Sequence, residues 1–74
     1  MNEKKLHAVL SNPGHETKRY PLTSTDRYEA MLEAADRDEE VRHGGRLQVM
    51  DGEKVIGMYS RQENGILTTR LGGW

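Results

Sequence analysis

The stretch Arg46-Leu47-Gln48-Val49-Met50-Asp51-Gly52-Glu53-Lys54-Val55-Ile56-Gly57-Met58-Tyr59-Ser60 decides the fold. Two runs rich in Val, Ile, Met and Tyr flank an Asp-Gly pair, which is the sequence pattern of two strands joined by a tight hairpin. Strict alternation puts Leu47 and Val49 on one face. In the second run it puts Ile56 and Met58 on that same face, with Val55 and Tyr59 on the other. A second turn signal, Asn64-Gly65, follows. Residues 66–71 then read as a last strand.

Working upstream, Gly44-Gly45 just before this stretch is the C-cap chemistry of a helix. The helix opens at the cap cluster Thr23-Ser24-Thr25-Asp26, with Asp26 and Glu29 in a capping-box arrangement. Tyr28, Met31, Leu32 and Ala35 fall at helical spacing and predict one apolar stripe, running to about residue 41 or 42. The acids at 36–40 oppose the helix dipole, so that end is expected to fray. Residues 5–11 and 17–22 read as a first hairpin across Asn12-Pro13-Gly14-His15. Leu6, Ala8, Leu10, Tyr20 and Leu22 face inward, and Pro21 confines the second strand to an edge. The expected fold is therefore α+β. It has two layers in the order ββαβββ, with one helix packed on a four- to five-stranded sheet. Residues 1–71 form one domain and 72–74 a flexible tail.

Length and composition narrow the function. Seventy-four residues with 34% hydrophobic content and no cysteine leave a small core without disulfide staples. They also leave no thiolate nucleophile. His7, His15 and His43 show no metal-ligand spacing, and no Ser-His-Asp arrangement is present. The expectation is a protein without catalytic residues, metal or cofactor. The formal net charge is −1, from 11 Lys and Arg against 12 Asp and Glu. That argues against nucleic acid as a partner, and no apolar run suits a membrane. A cytoplasmic location is expected. The charge is unevenly spread, at −5 over residues 26–40 and +2 on either side. The acidic stretch reads either as a solvated exterior or as an electrostatic docking face.

Met50, Val55, Tyr59 and Ile66 point away from the expected core face. With Arg70 they form a candidate partner-binding patch on the outer sheet face, or else a small accessory cluster.

The order hairpin, helix, further strands and a terminal Gly-Gly resembles the ubiquitin-like β-grasp class. Leu6 to Leu22 is a hairpin of suitable length. Ser24-Thr25-Asp26 opens the helix, Arg46-Leu47 precedes Gly52, and Ile66-Leu67-Thr68-Thr69-Arg70-Leu71-Gly72-Gly73 is similar to the family's C-terminal portion. The resemblance implies a protein modifier or sulfur carrier, activated at Gly73 once a peptidase removes Trp74. Its partners would be an activating enzyme and that peptidase. Glycines at 72 and 73 would let the backbone thread a narrow channel. Several features depart from the family: Gln48 stands where an apolar recognition residue is usual, 46–73 is short, no basic residue directly precedes the glycines, and Trp74 follows them. The opening Lys5 to His15 resembles small bacterial mobile-element proteins. That resemblance implies a phage or mobile-element interaction protein, one that inhibits a host defence protein by direct binding.

Overall fold

The computed structural model describes residues 6–72. Five strands and one helix follow in the chain order β1 (Leu6–Ser11), β2 (Lys18–Pro21), α1 (Arg27–Ala35), a 3-10 turn (Asp38–Glu40), β3 (Arg46–Asp51), β4 (Lys54–Arg61) and β5 (Leu67–Leu71). All four strand pairings are antiparallel, and the order across the sheet is β2-β1-β3-β4-β5. β3 pairs with β1, and β5 lies at the edge of the sheet opposite β2.

The β3–β4 hairpin forms at Asp51-Gly52. Gly52 takes φ 62° at the first loop position and no non-glycine residue among the described residues has positive φ, which is the II′ pattern that matches strand twist. One residue further the strict alternation fails. Val49 pairs with Gly57 and Met50 pairs with Val55, so Ile56 is an extra residue in β4. This β-bulge sends Ile56 and Gly57 to the helix side together and reverses every later position. Tyr59 therefore turns inward and is buried, while Met58 turns outward. Both assignments differ from strict alternation for that one reason.

The helix also differs from its expected stripe. Ala30, Met31 and Ala34 are the buried positions, while Tyr28 and Leu32 are exposed. Small side chains let α1 lie close on the sheet. Gly57 sits directly under Met31, where a Cβ would collide with the Met31 sulfur. The Tyr59 hydroxyl donates to the Met31 carbonyl at 2.7 Å, which ties β4 to the helix. Burial, followed by the nearby Asp38 charge, raises the Tyr59 pKa. Asp26 caps the helix, accepting from the Tyr28 and Glu29 amides.

The helix stops at Ala35, well short of 41. Residues 36–45 instead cross the end of the sheet in a connection held by two side chains. Arg61 donates through Nε to the Val41 carbonyl (2.6 Å), through Nη1 to Gly65 (2.9 Å) and through Nη2 to Asp38 (3.2 Å). Asn12 donates to the Glu40 carbonyl and accepts from the Arg42 amide. These bonds hold Val41 in the core, at 1% exposure. The core is otherwise Leu6, Ala8 and Leu10 of β1, Leu47 and Val49 of β3, Tyr59 of β4, and the helix residues above.

Overpacking the helix seat should be costly. Gly57→Val is expected to lower unfolding free energy by about 1–3 kcal/mol, and Tyr59→Phe by about 1 kcal/mol. Urea denaturation followed by circular dichroism checks both. Unchanged midpoints would show that α1 does not rest there.

Candidate functional site

With α1 and the 3-10 turn on one side of the sheet, no described element lies over the other side. The register builds this outer face in three cross-strand rows. The first runs Pro21–His7–Met50–Val55. The second spans all five strands as Arg19–Val9–Gln48–Met58–Arg70. The third runs Ser11–Arg46–Ser60–Thr68, with a 2.9 Å hydrogen bond between the Ser60 and Thr68 hydroxyls. The face thus carries Val9, Met50, Val55 and Met58 around Gln48. Arg19, Arg46 and Arg70 surround them, and none of the named positions is acidic. Among the described residues neither Arg19 nor Arg46 is ion-paired; the salt bridge present is Arg37–Glu40, on the helix side. Val9 is 7% exposed although it lies outside the core cluster. The Nε2 of His7 is buried without a hydrogen-bond partner among the described residues.

Of the expected patch, Met50, Val55 and Arg70 stand on this face. Ile66 lies just beyond β5 at the β4–β5 turn, 59% exposed, with the strand parity of Thr68 and Arg70. Tyr59 does not belong, because the bulge puts it in the core. Val9, Met58, Arg19 and Arg46 were missed by reading the sequence. Val9 was legible as the apolar residue out of phase with Leu6, Ala8 and Leu10. Met58 was not, since nothing in 54–60 announces the bulge.

The helix side is acidic, but several of its acids hold the fold together. Asp26 is the cap. Glu40 accepts from the Tyr20 hydroxyl (3.0 Å) and pairs with Arg37, whose guanidinium stacks over the Tyr20 ring 3.8 Å from its centre. Burial and the Glu40 contact raise the Tyr20 pKa. Glu33 accepts from the amides and hydroxyls of both Thr23 and Ser24, at 2.9–3.1 Å. It thereby pins the β2–α1 connection.

The tail is only partly described. Gly72 donates its amide to the Ile56 carbonyl (2.9 Å) and accepts from Arg27 Nη1 (3.2 Å), so it extends the β4–β5 ladder. Gly73 and Trp74 lie outside the described residues, as do residues 1–5. Among the described residues no group of three or more His, Asp or Glu gathers as a metal site, and no helix is long and apolar enough to cross a membrane.

Glu33 gives this layer a pH dependence. The hydrogen bond from the Thr23 amide, helped by those from Ser24, holds its carboxyl below the usual glutamate range. A depressed native pKa adds stability above the unfolded-state value and loses it as pH falls through the native value. Glu33→Gln should therefore be less stable than wild type at neutral pH, with the gap closing in acid. Urea midpoints measured across an acidic pH series test this, and a gap that persists at the lowest pH contradicts it.

Comparison with models of known protein families, with curated proteins and with solved structures finds no match for this chain.

Proposed function

We propose that this chain is a non-enzymatic interaction protein. In this reading the outer sheet face binds an acidic, partly apolar protein surface and inhibits the partner by covering it. The observation that carries the reading is the row Arg19–Val9–Gln48–Met58–Arg70, in which Val9 and Met58 flank Gln48, arginine stands at both ends and no position is acidic.

The chemistry of the face supports a protein over nucleic acid as partner. Sheet surfaces that bind single strands present aromatic rings for base stacking. Among the described residues the tyrosines lie elsewhere: Tyr20 and Tyr59 both pack on the helix side, and Tyr28 is on α1. Methionine and arginine are residue types enriched where proteins meet. Met50 and Met58 supply adaptable apolar contact, while Arg19 and Arg46 can take carboxylates in a bidentate fork. The helix side is the weaker candidate, because Asp26, Glu33 and Glu40 are engaged within the fold. The modifier reading would need the chain around Gly72 to leave the sheet, where its amide and carbonyl are both bonded.

Affinity capture from cells expressing the tagged chain tests the proposal. Wild type should retain a partner that Arg19→Glu/Arg46→Glu loses, and that the helix-side variant Glu29→Lys/Glu39→Lys keeps. Retention by the sheet variant with loss by the helix variant would overturn the assignment of the face. Nuclease-sensitive capture would point to nucleic acid. Intact-mass detection of a form ending at Gly73, or of conjugates through it, would favour the modifier reading instead.

A further inference from the structure

The two edges of the sheet are unlike. β2 has four residues, carries Lys18 and Arg19, and ends at Pro21, all features that discourage further strand pairing. β5 reads Leu67-Thr68-Thr69-Arg70-Leu71, without proline, lysine or an acid. Its backbone is poised to pair. The Ile66 carbonyl accepts from the Gln62 amide and the Gly72 amide donates to Ile56, so the even-numbered residues bond toward β4. By antiparallel alternation, the amides and carbonyls of Leu67, Thr69 and Leu71 point out of the sheet.

An apolar shelf lies beside this edge. Leu71 pairs with Gly57, which sits under Met31, so Leu71 stands on the helix side and is 51% exposed. The flank of α1 toward β2 is identified by Glu33 on Thr23 and Ser24. Arg27 reaches the other way, to Gly72 at the end of β5, and beside it Tyr28, with Leu32 one turn on, is exposed, at 57% and 70%.

We propose that a second copy of this chain covers this edge, with β5 pairing antiparallel to β5 about a two-fold axis through Thr69. This register suits the strand's own sequence. Thr69 faces the partner's Thr69, Leu67 faces the partner's Leu71, and Thr68 faces the partner's Arg70. The three outward-pointing residues of each copy meet one another and exchange about six main-chain hydrogen bonds. The two Leu67–Leu71 contacts fall on the helix side, next to Tyr28 and Leu32 of both copies. The two arginines are kept apart, each opposite a threonine. Charge is matched as well. Arg27 lies at the Gly72 end of β5. Asp38, tied to Arg61 and so to the Gly65 turn, lies at the other end. The two-fold axis brings each Arg27 toward the acidic Asp38–Glu39 corner of the other copy. The result is an isologous dimer with a ten-stranded sheet and a continuous outer face.

Light scattering after size exclusion reads the state directly. The wild-type chain is expected at twice its 8.4 kDa mass. Thr69→Pro removes an outward amide and leaves the β4–β5 ladder its bonds, and Leu71→Lys places a charge on the apolar shelf. Each should reduce the mass to one copy with the circular dichroism spectrum retained. If Thr69→Pro unfolds, Leu71→Lys decides alone. Because the chain has no cysteine, register can be read by oxidation. Thr69→Cys should cross-link two copies readily, and Thr68→Cys, out of register with itself, should not. The proposal is overturned by a wild-type monomer up to the highest soluble concentration, or by a dimer that survives Leu71→Lys. It is also overturned by a dimer dispersed by Met58→Glu on the outer face.

Discussion

The close seating of one short helix on β4 is the contact on which the rest depends. Nine residues of helix cover the inner side of a five-stranded sheet. They can do so only by lying near the strands, and Ala30, Ala34 and Gly57 provide that nearness by having almost no side chain. Met31 fills the space over Gly57, and the Tyr59 hydroxyl closes it with a hydrogen bond to the helix backbone. In a domain with this little apolar surface, a helix held a few ångströms higher would leave a void that no large residue is present to fill.

The same seat explains the odd connection that follows. A helix continuing to residue 41 would carry Val41 off the end of the sheet. Ending at Ala35 lets the chain turn back so that Val41 becomes core, and the exposed carbonyls of the turn are gathered by Arg61 and Asn12. The acids of this region thus belong partly to architecture. Their repulsion is relieved where Arg37 reaches Glu40 and Tyr20, and Glu33 holds the start of the helix. The layers end up separated by charge, acidic over the helix and basic over the open sheet face. That separation gives the outer face its chemistry.

Turn chemistry and the helix cap were legible because they rest on local causes. Asp51-Gly52 requires a left-handed residue at the turn, and Asp26 offers a side chain to unpaired amides. The face assignment of β1 was legible too, since Leu6, Ala8 and Leu10 alternate without interruption. Tyr59 and Met58 exchanged faces because a bulge at Ile56 depends on how β4 meets β3, which no window of sequence contains. The helical spacing of Tyr28 and Leu32 puts them on the expected apolar stripe, yet the core took Ala30 and Ala34. Proximity to the sheet, and not side-chain size, selects the buried stripe when the helix must come close.

By itself, the sequence determined an α+β chain of short strands and one helix with its charge divided along its length. Those properties follow from local conformational preference and from composition. Only the tertiary structure decided that β3 pairs with β1 and leaves β5 at an open edge, that Arg19, Arg46 and Arg70 share one face, and that Tyr59 lies inside. Each of these is set by contacts between residues distant in the chain, where register and one extra residue determine which side every later side chain takes.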